Sequence, residues 1–291
     1  MRWDRGHESP DLIDRRGQGG GGGGGGGGAI LALAPLLLRH PVGIVLLVLL
    51  LLGSALVGTF GTRGTDAPGV TQATGAGRAG DEDKHFVAFV LDDAQKTWRE
   101  IFAERGRRYE NAKLVLFDGE TPTACGYGLS ATGPFYCPSD GHVYIDLSFY
   151  DELARRFGAR GDFAQAYVIA HEIGHHVQNQ LGAAAAVRGL RRSEREGASG
   201  ANVRLELQAD CYAGIWAHST ETRGLLEPGD VEEAMTAASA VGDDRLQKHA
   251  TGVVTPETFT HGTAEQRARW FRKGYERGDL AASDTFGASA L

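Results

Sequence analysis

Between Gly161 and Gly182 the chain reads GDFAQAYVIAHEIGHHVQNQLG, free of proline, with a helix-starting Asp162 and a helix-stopping Gly182. Those signals define one helix of about five turns. Phe163, Tyr167, Ala170, Gly174, Val177 and Leu181 recur at steps of four and three, a stripe that must face a core. Whatever the helix carries beside that stripe is therefore held inside the fold. It carries His171 and His175 one turn apart on one face, with Glu172 next to the first. Two neutral imidazoles at i and i+4 suit a tetrahedral Zn²⁺, and the adjacent carboxylate suits a base for water at the metal.

This HExxH spacing arises by chance in roughly a few per cent of chains with so many histidines. A chance match does not require a capped amphipathic helix, and a metal site requires a third ligand. The stretch from Asn202 to His218, NVRLELQADCYAGIWAH, reads as a mostly buried helix with Glu206 and Asp210 at i and i+4. Carboxylates on an apolar helix need a partner. Glu206 suits the third zinc ligand, and Asp210 suits the acceptor that holds a ligating imidazole by its other N–H. The alternative is a helix-face salt bridge to Arg204 or to Arg191 and Arg192. A third histidine ligand would fall at position 181, where Leu181 stands, and His176 points away from the metal face. His218 is a weaker candidate.

The composition, 42% hydrophobic and 23% charged, is globular, and a net charge of −7 without a basic patch argues against a nucleic-acid partner. Residues 1–41 are polar and then glycine-rich, which predicts a disordered tail. Residues 42–60, VGIVLLVLLLLGSALVGTF, carry no charge and are long enough to cross a bilayer as one helix in contact with lipid. A cleavable signal peptide is the competing reading. Arg2, Arg5, Arg15, Arg16 and Arg39 precede this stretch, so the positive-inside rule puts the tail in the cytoplasm and the rest outside. Residues 61–80 read as a linker, and residues 81–291 as the folded domain.

Within that domain Asp83 to Arg105 has helical spacing, Lys113 to Phe117 reads as a buried strand, and His142 to Leu147 alternates as a half-buried strand. The last of these is either an edge that pairs with an extended peptide or ordinary core sheet. Ser148 and Asp151 start a short helix. The Arg/Gly/Ser-rich stretch from Ala183 to Ala201 looks mobile. Cys125 and Cys137 flank a turn-rich segment and can pair outside a membrane, leaving Cys211 over. Asp230 and Glu233 open another helix, and Thr263 and Gln266 form a capping box for the last. His261 sits on the loop before that helix, suited either to donating a hydrogen bond to an oxyanion or to a surface role. The expected class is α+β, mostly helical with a small sheet.

Taken together, MRW…ES…DRR, TACG, SATGPFYCP, VYIDLSF, the HExxH helix, LELQADCYAGIWA, AASAVGDDRLQ and FTHGTAEQRARWF make the chain resemble the bacterial membrane-anchored neutral zinc metallopeptidases. The resemblance implies a zincin-like fold and one Zn²⁺ held by His171, His175 and Glu206, the last as in gluzincins. It implies Glu172 as catalytic base and a protein or peptide as substrate. His261 and Arg267 resemble a His-Pro-x-x-x-x-Arg feature of membrane-linked zinc peptidases, with Gly262 in place of the proline. Where the family often carries a cysteine before a final Asp-Thr-Phe, this chain has Ser283. The expectation is a single-pass, membrane-anchored zinc endopeptidase with its domain outside the cytoplasm. The alternative is a catalytically silent binding or scaffold protein on the same fold.

Overall fold

The computed structural model describes residues 1–18 and 75–291. Their elements make an α+β fold, mostly helical with a small sheet. Helix α1 (Gly75–Glu104) starts upstream of the expected Asp83 and buries Phe86, Val90, Trp98 and Phe102 along one face. Strands β1 (Leu12–Asp14), β2 (Lys113–Leu116), β5 (Phe135–Cys137) and β6 (His142–Ile145) form a sheet in the order β1-β2-β6-β5. The pairs β1–β2 and β2–β6 are parallel, and β5 runs antiparallel to β6. Of the two readings of His142–Leu147, core sheet is the one observed, because β6 lies between β2 and β5. The half-buried pattern expected for it is corrected, because Val143, Tyr144 and Ile145 are all buried. Parallel strands covered on both faces lose the alternation that marks a one-sided strand.

A hairpin of β3 (Glu120–Thr123) and β4 (Gly126–Leu129) forms in the stretch read as turns. Cys125 at its tip is disulfide-bonded to Cys137 at the end of β5, so hairpin and edge strand are covalently tied.

The first eighteen residues are part of this domain and not a disordered tail. Leu12, Ile13 and Asp14 pair with Leu114, Val115 and Leu116. Trp3 packs edge-on against Phe86, and His7 and Ser9 both reach Asp92 on α1. Asp11 accepts from Gln95, Asn111 and Lys113. Burial pushes the Asp11 carboxyl up, but Lys113 and Asn111 outweigh it and hold the group below its ordinary value. The tail was misread because its apolar content is small, while its polar side chains find partners 84 to 102 residues away. Strand pairing needs β1 and β2 in one compartment, so residues 1–18 and 76–291 lie on the same side of any membrane. The 42–60 stretch and most of the 61–80 linker lie outside the described residues, and no helix among the described residues is long and apolar enough to cross a bilayer.

Four helices hold the centre: α3 (Asp162–Leu181), α6 (Ala201–Thr222), α7 (Asp230–Ala240) and α9 (Ala264–Arg277). The stripe predicted on α3 is buried from Phe163 to Val177, with Leu181 half-buried. Its cap differs from the expected one. Gly161 occupies the cap with φ 106°, Asp162 is already helical, and Glu233 on α7 accepts from the Phe163 N–H at 3.2 Å. Gly174 sets the approach of α3 to α6, since a Cβ there would stand 3.1 Å from the Ala209 Cα and carbonyl oxygen. α6 and α9 meet through Gly214 and Gly274, each facing the other's backbone where any side chain would collide. Thr263 and Gln266 form the capping box of α9, as read from the sequence. Short helices α2 (Ser148–Arg156), α4 (Ala183–Arg188), α5 (Arg192–Arg195) and α8 (Asp243–Thr251) line the periphery. Near the C-terminus Ser283 donates to the Sγ of the buried Cys211, the free thiol among the described residues.

Candidate metal centre

Because α3 and α6 approach closely at Gly174, the two imidazoles of α3 meet the carboxylate of Glu206 on α6. Glu206 Oε2 lies 3.3 Å from His171 Nε2, and Oε1 lies 3.5 Å from His175 Nε2. A tetrahedron with metal–ligand bonds of about 2.1 Å has edges of about 3.4 Å. Ligand atoms of all three residues lie within 4.8 Å of one another. The donor set of two imidazoles and one carboxylate leaves a fourth position for water, so the residues fit a catalytic rather than a closed zinc site.

Each imidazole is oriented from behind. His171 Nδ1 is 2.9 Å from Asp210 Oδ1, and His175 Nδ1 is 2.9 Å from Gln178 Oε1. These contacts assign Nδ1 as the protonated nitrogen and leave both Nε2 atoms facing Glu206. Gln178 is fixed in turn, donating to the Leu205 carbonyl and to Gln208. Asp210 is fully buried, and Arg267 on α9, itself 3% exposed, forks it with two bonds of 2.9 Å from Nε and Nη2. Tyr167, on the packing stripe of α3, donates its hydroxyl to Asp210 and accepts from Arg267 at 3.1 Å.

Burial works against charging His171, yet Asp210 and Glu206 outweigh it and push the imidazole up to about 9. His175 is also raised, burial being outweighed by Glu206. Glu206 is held well below the ordinary carboxylate range, with burial opposed by His175 and His171. The site is thus a pocket of negative potential that a divalent cation satisfies in place of protons.

The centre opens on a cavity of about 680 Å³, lined by His171, Glu172 and His175 and walled by β5, α2 and α4. Glu172 is 8% exposed and accepts no hydrogen bond among the described residues, so its carboxylate is free to face a bound molecule. His261 lines the same cavity. Its loop wraps Asp243, whose Oδ2 accepts the N–H groups of Thr260, His261 and Gly262, while Oδ1 lies 3.1 Å from His261 Nδ1. Gly262 stands at φ +87°, a value proline cannot adopt, so the Gly-for-Pro difference changes the backbone at this loop. His176 is turned away into the core, bonded to Tyr136 and to the Glu110 carbonyl. His218 bonds the Tyr275 carbonyl away from the centre.

The structure therefore brings His171, Glu172, His175, Glu206, Asp210 and His261 to one cavity or its immediate support. The sequence reading missed Gln178, Tyr167 and Asp243. Gln178 had a visible signal, a polar residue three places after His175. Tyr167 had none, because periodicity places its ring and is silent about its hydroxyl.

A family profile described as "Putative neutral zinc metallopeptidase" matches residues 1–286. An uncharacterized Escherichia coli (strain K12) protein, YpfJ, is 52% identical over 210 residues, spanning 72% of this chain and 73% of that protein. An uncharacterized protein of Mycobacterium tuberculosis (strain H37Rv) is 48% identical over 194 residues, spanning 63% of this chain and 65% of that protein. No solved structure matches the chain significantly.

Proposed function

The chain belongs to the "Putative neutral zinc metallopeptidase" family, and on that premise we propose that it is a zinc-dependent endopeptidase with a zincin-like catalytic domain. The observation that carries this reading is the ligand geometry, in which two imidazole Nε2 atoms and one carboxylate stand at tetrahedral-edge distances in the wall of an open cavity. His171, His175 and Glu206 would hold the ion. When bound, Zn²⁺ supplies a Lewis acid that polarises a peptide carbonyl and acidifies water. Glu172 would accept a proton from the attacking water at its carboxylate and return it to the departing amine. His261 donates to the oxygen that becomes negative as the carbonyl is attacked. Asp243, 3.1 Å from His261 Nδ1, orients the ring so that its other nitrogen can make this bond. Asp210 and Gln178 keep the two ligating rings in register.

The test is metal content. Wild-type protein is expected to carry one zinc per chain after dialysis against metal-free buffer. Glu206→Ala is expected to lose most of it, its affinity falling by about two orders of magnitude or more, since a removed ligand costs at least as much as the 10–100-fold typical of a ligand's hydrogen-bond partner. Undiminished zinc in Glu206→Ala would move the third ligand elsewhere.

For localisation, we propose that the 42–60 stretch attaches the protein to the cell membrane, with residues 1–18 and the domain together on the extracytoplasmic side. The Cys125–Cys137 disulfide supports that side, because disulfides persist in oxidising compartments. Cysteines introduced at the exposed Glu8 and Glu104 are expected to react with a membrane-impermeant maleimide in intact spheroplasts. Labelling of both only after lysis would put the domain in the cytoplasm, and labelling of one alone would contradict the shared compartment.

A further inference from the structure

Most charged groups in the cavity wall already have partners. Glu152 and Arg156 pair at 2.6 Å, and Arg267 is engaged by Asp210. Glu206 faces the two imidazoles, which leaves Glu172, Arg188 and Arg195. Neither Arg188 nor Arg195 has a salt bridge or a side-chain hydrogen bond among the described residues, and the Arg195 Nε is a buried donor with no acceptor. A buried guanidinium N–H without an acceptor is a cost that an incoming anion removes. Both arginines stand on the segment that joins the HExxH helix to the Glu206 helix, at the last residues of α4 and α5. The same cavity also has apolar lining, Val187 and Leu205 among it. Tyr136 of the edge strand β5 lines the same cavity as Arg188. In a chain of net charge −7, two unpartnered arginines on one cavity wall form a local field opposite to that of the whole molecule.

Resting on the peptidase reading, we propose that Arg188 and Arg195 form a carboxylate-selecting wall of the cleft. The favoured peptides bring a carboxylate into it, either from an aspartate or glutamate side chain or from the chain's own C-terminus. A guanidinium fork takes a planar carboxylate in two parallel hydrogen bonds, and the apolar residues lining the same cavity receive the methylenes that carry it.

The experiment compares fluorogenic peptides that differ only in Glu, Gln or Lys near the scissile bond, each with a free or an amidated C-terminus. Wild-type protein is expected to favour the carboxylate member of a pair by about tenfold or more in kcat/KM, the scale of one charge-assisted contact. In the Arg188→Gln/Arg195→Gln variant that ratio is expected to fall to within about twofold, the ratio and not the absolute rate being the readout. Sensitivity to amidation with indifference to Glu against Gln assigns the carboxylate to the chain end, and the reverse assigns it to a side chain. Equal rates across both pairs in the wild type, or a preference that survives in the double variant, overturns the inference. Should wild type cleave nothing, the peptidase reading fails by itself. The same peptides are then titrated by fluorescence polarisation onto zinc-loaded Glu172→Gln protein. Tighter binding of the carboxylate members, lost when both arginines are also replaced, supports the wall without turnover. Equal affinities sink it.

Discussion

Glu172→Gln is expected to retain zinc and to lose peptide hydrolysis by about three orders of magnitude or more, the upper part of the range for a positioned general base. The substitution keeps the size of the side chain and its helical preference, and removes the group that accepts a proton. Nothing in the fold is expected to respond. Glu172 makes no hydrogen bond among the described residues, so no partner is orphaned by the change, and the three proposed ligands are untouched. Zinc content by elemental analysis and hydrolysis of a peptide library are measured on the same preparation. A variant with wild-type turnover would remove Glu172 from the mechanism. Two zinc-loaded proteins that are equally inert would instead favour the second reading, a metal-stabilised binding or scaffold protein on this fold. That outcome keeps the metal centre and discards the chemistry.

The largest expected effect on stability belongs to Arg267→Met. Asp210 is fully buried, and its carboxyl is held below the ordinary range because Arg267, then His171, outweigh the burial that would raise it. Removing the cation leaves the buried carboxylate with Tyr167 and with His171, whose ring is protonated in the zinc-free protein and offsets part of the loss. Breaking a buried pair on one side costs about 3–5 kcal/mol, and with His171 still in place the lower end of that range is expected. For a chain of this size that is a fall in melting temperature on the order of 10 °C. The measurement is made on zinc-free protein, so that lost metal is not counted as lost stability. Adding Asp210→Asn to Arg267→Met is expected to recover part of the loss, since the second change removes the charge that the first exposes. With zinc restored, Arg267→Met is also expected to bind the metal about 10-fold more weakly, because Asp210 no longer holds His171 in a fixed orientation. An unchanged melting temperature would mean that Asp210 is neutralised by another route, and the brace assigned to Arg267 would fall.

Both expectations depend on a single arrangement, in which α9 closes over the back of the centre. Gly214 and Gly274 allow it by letting the backbones of α6 and α9 touch. The same closeness brings Ser283 to Cys211, at the position where the resembling family often has a second cysteine. The chain keeps that contact as a hydroxyl beside a thiol. Burial pushes the Cys211 thiol up to about 12, which keeps it protonated and unreactive.

The local order of residues determined the α3 helix, its buried stripe, the paired imidazoles and the adjacent base, because helical period and spacing act within two turns. It also identified Glu206 and Asp210, since two carboxylates on an apolar helix announce an unmet need for a partner. The packing of α3 on α6 at Gly174 puts Glu206 against the two Nε2 atoms and Asp210 behind His171, the places the spacing on α6 had suggested for them. Tertiary structure alone placed residues 12–14 in the sheet, chose core over edge for β6, and assembled Asp210, Tyr167 and Arg267 across 43 to 100 residues of chain. Periodicity records which face of an element is buried, and a polar segment or a lone hydroxyl carries no record of the distant group that will satisfy it.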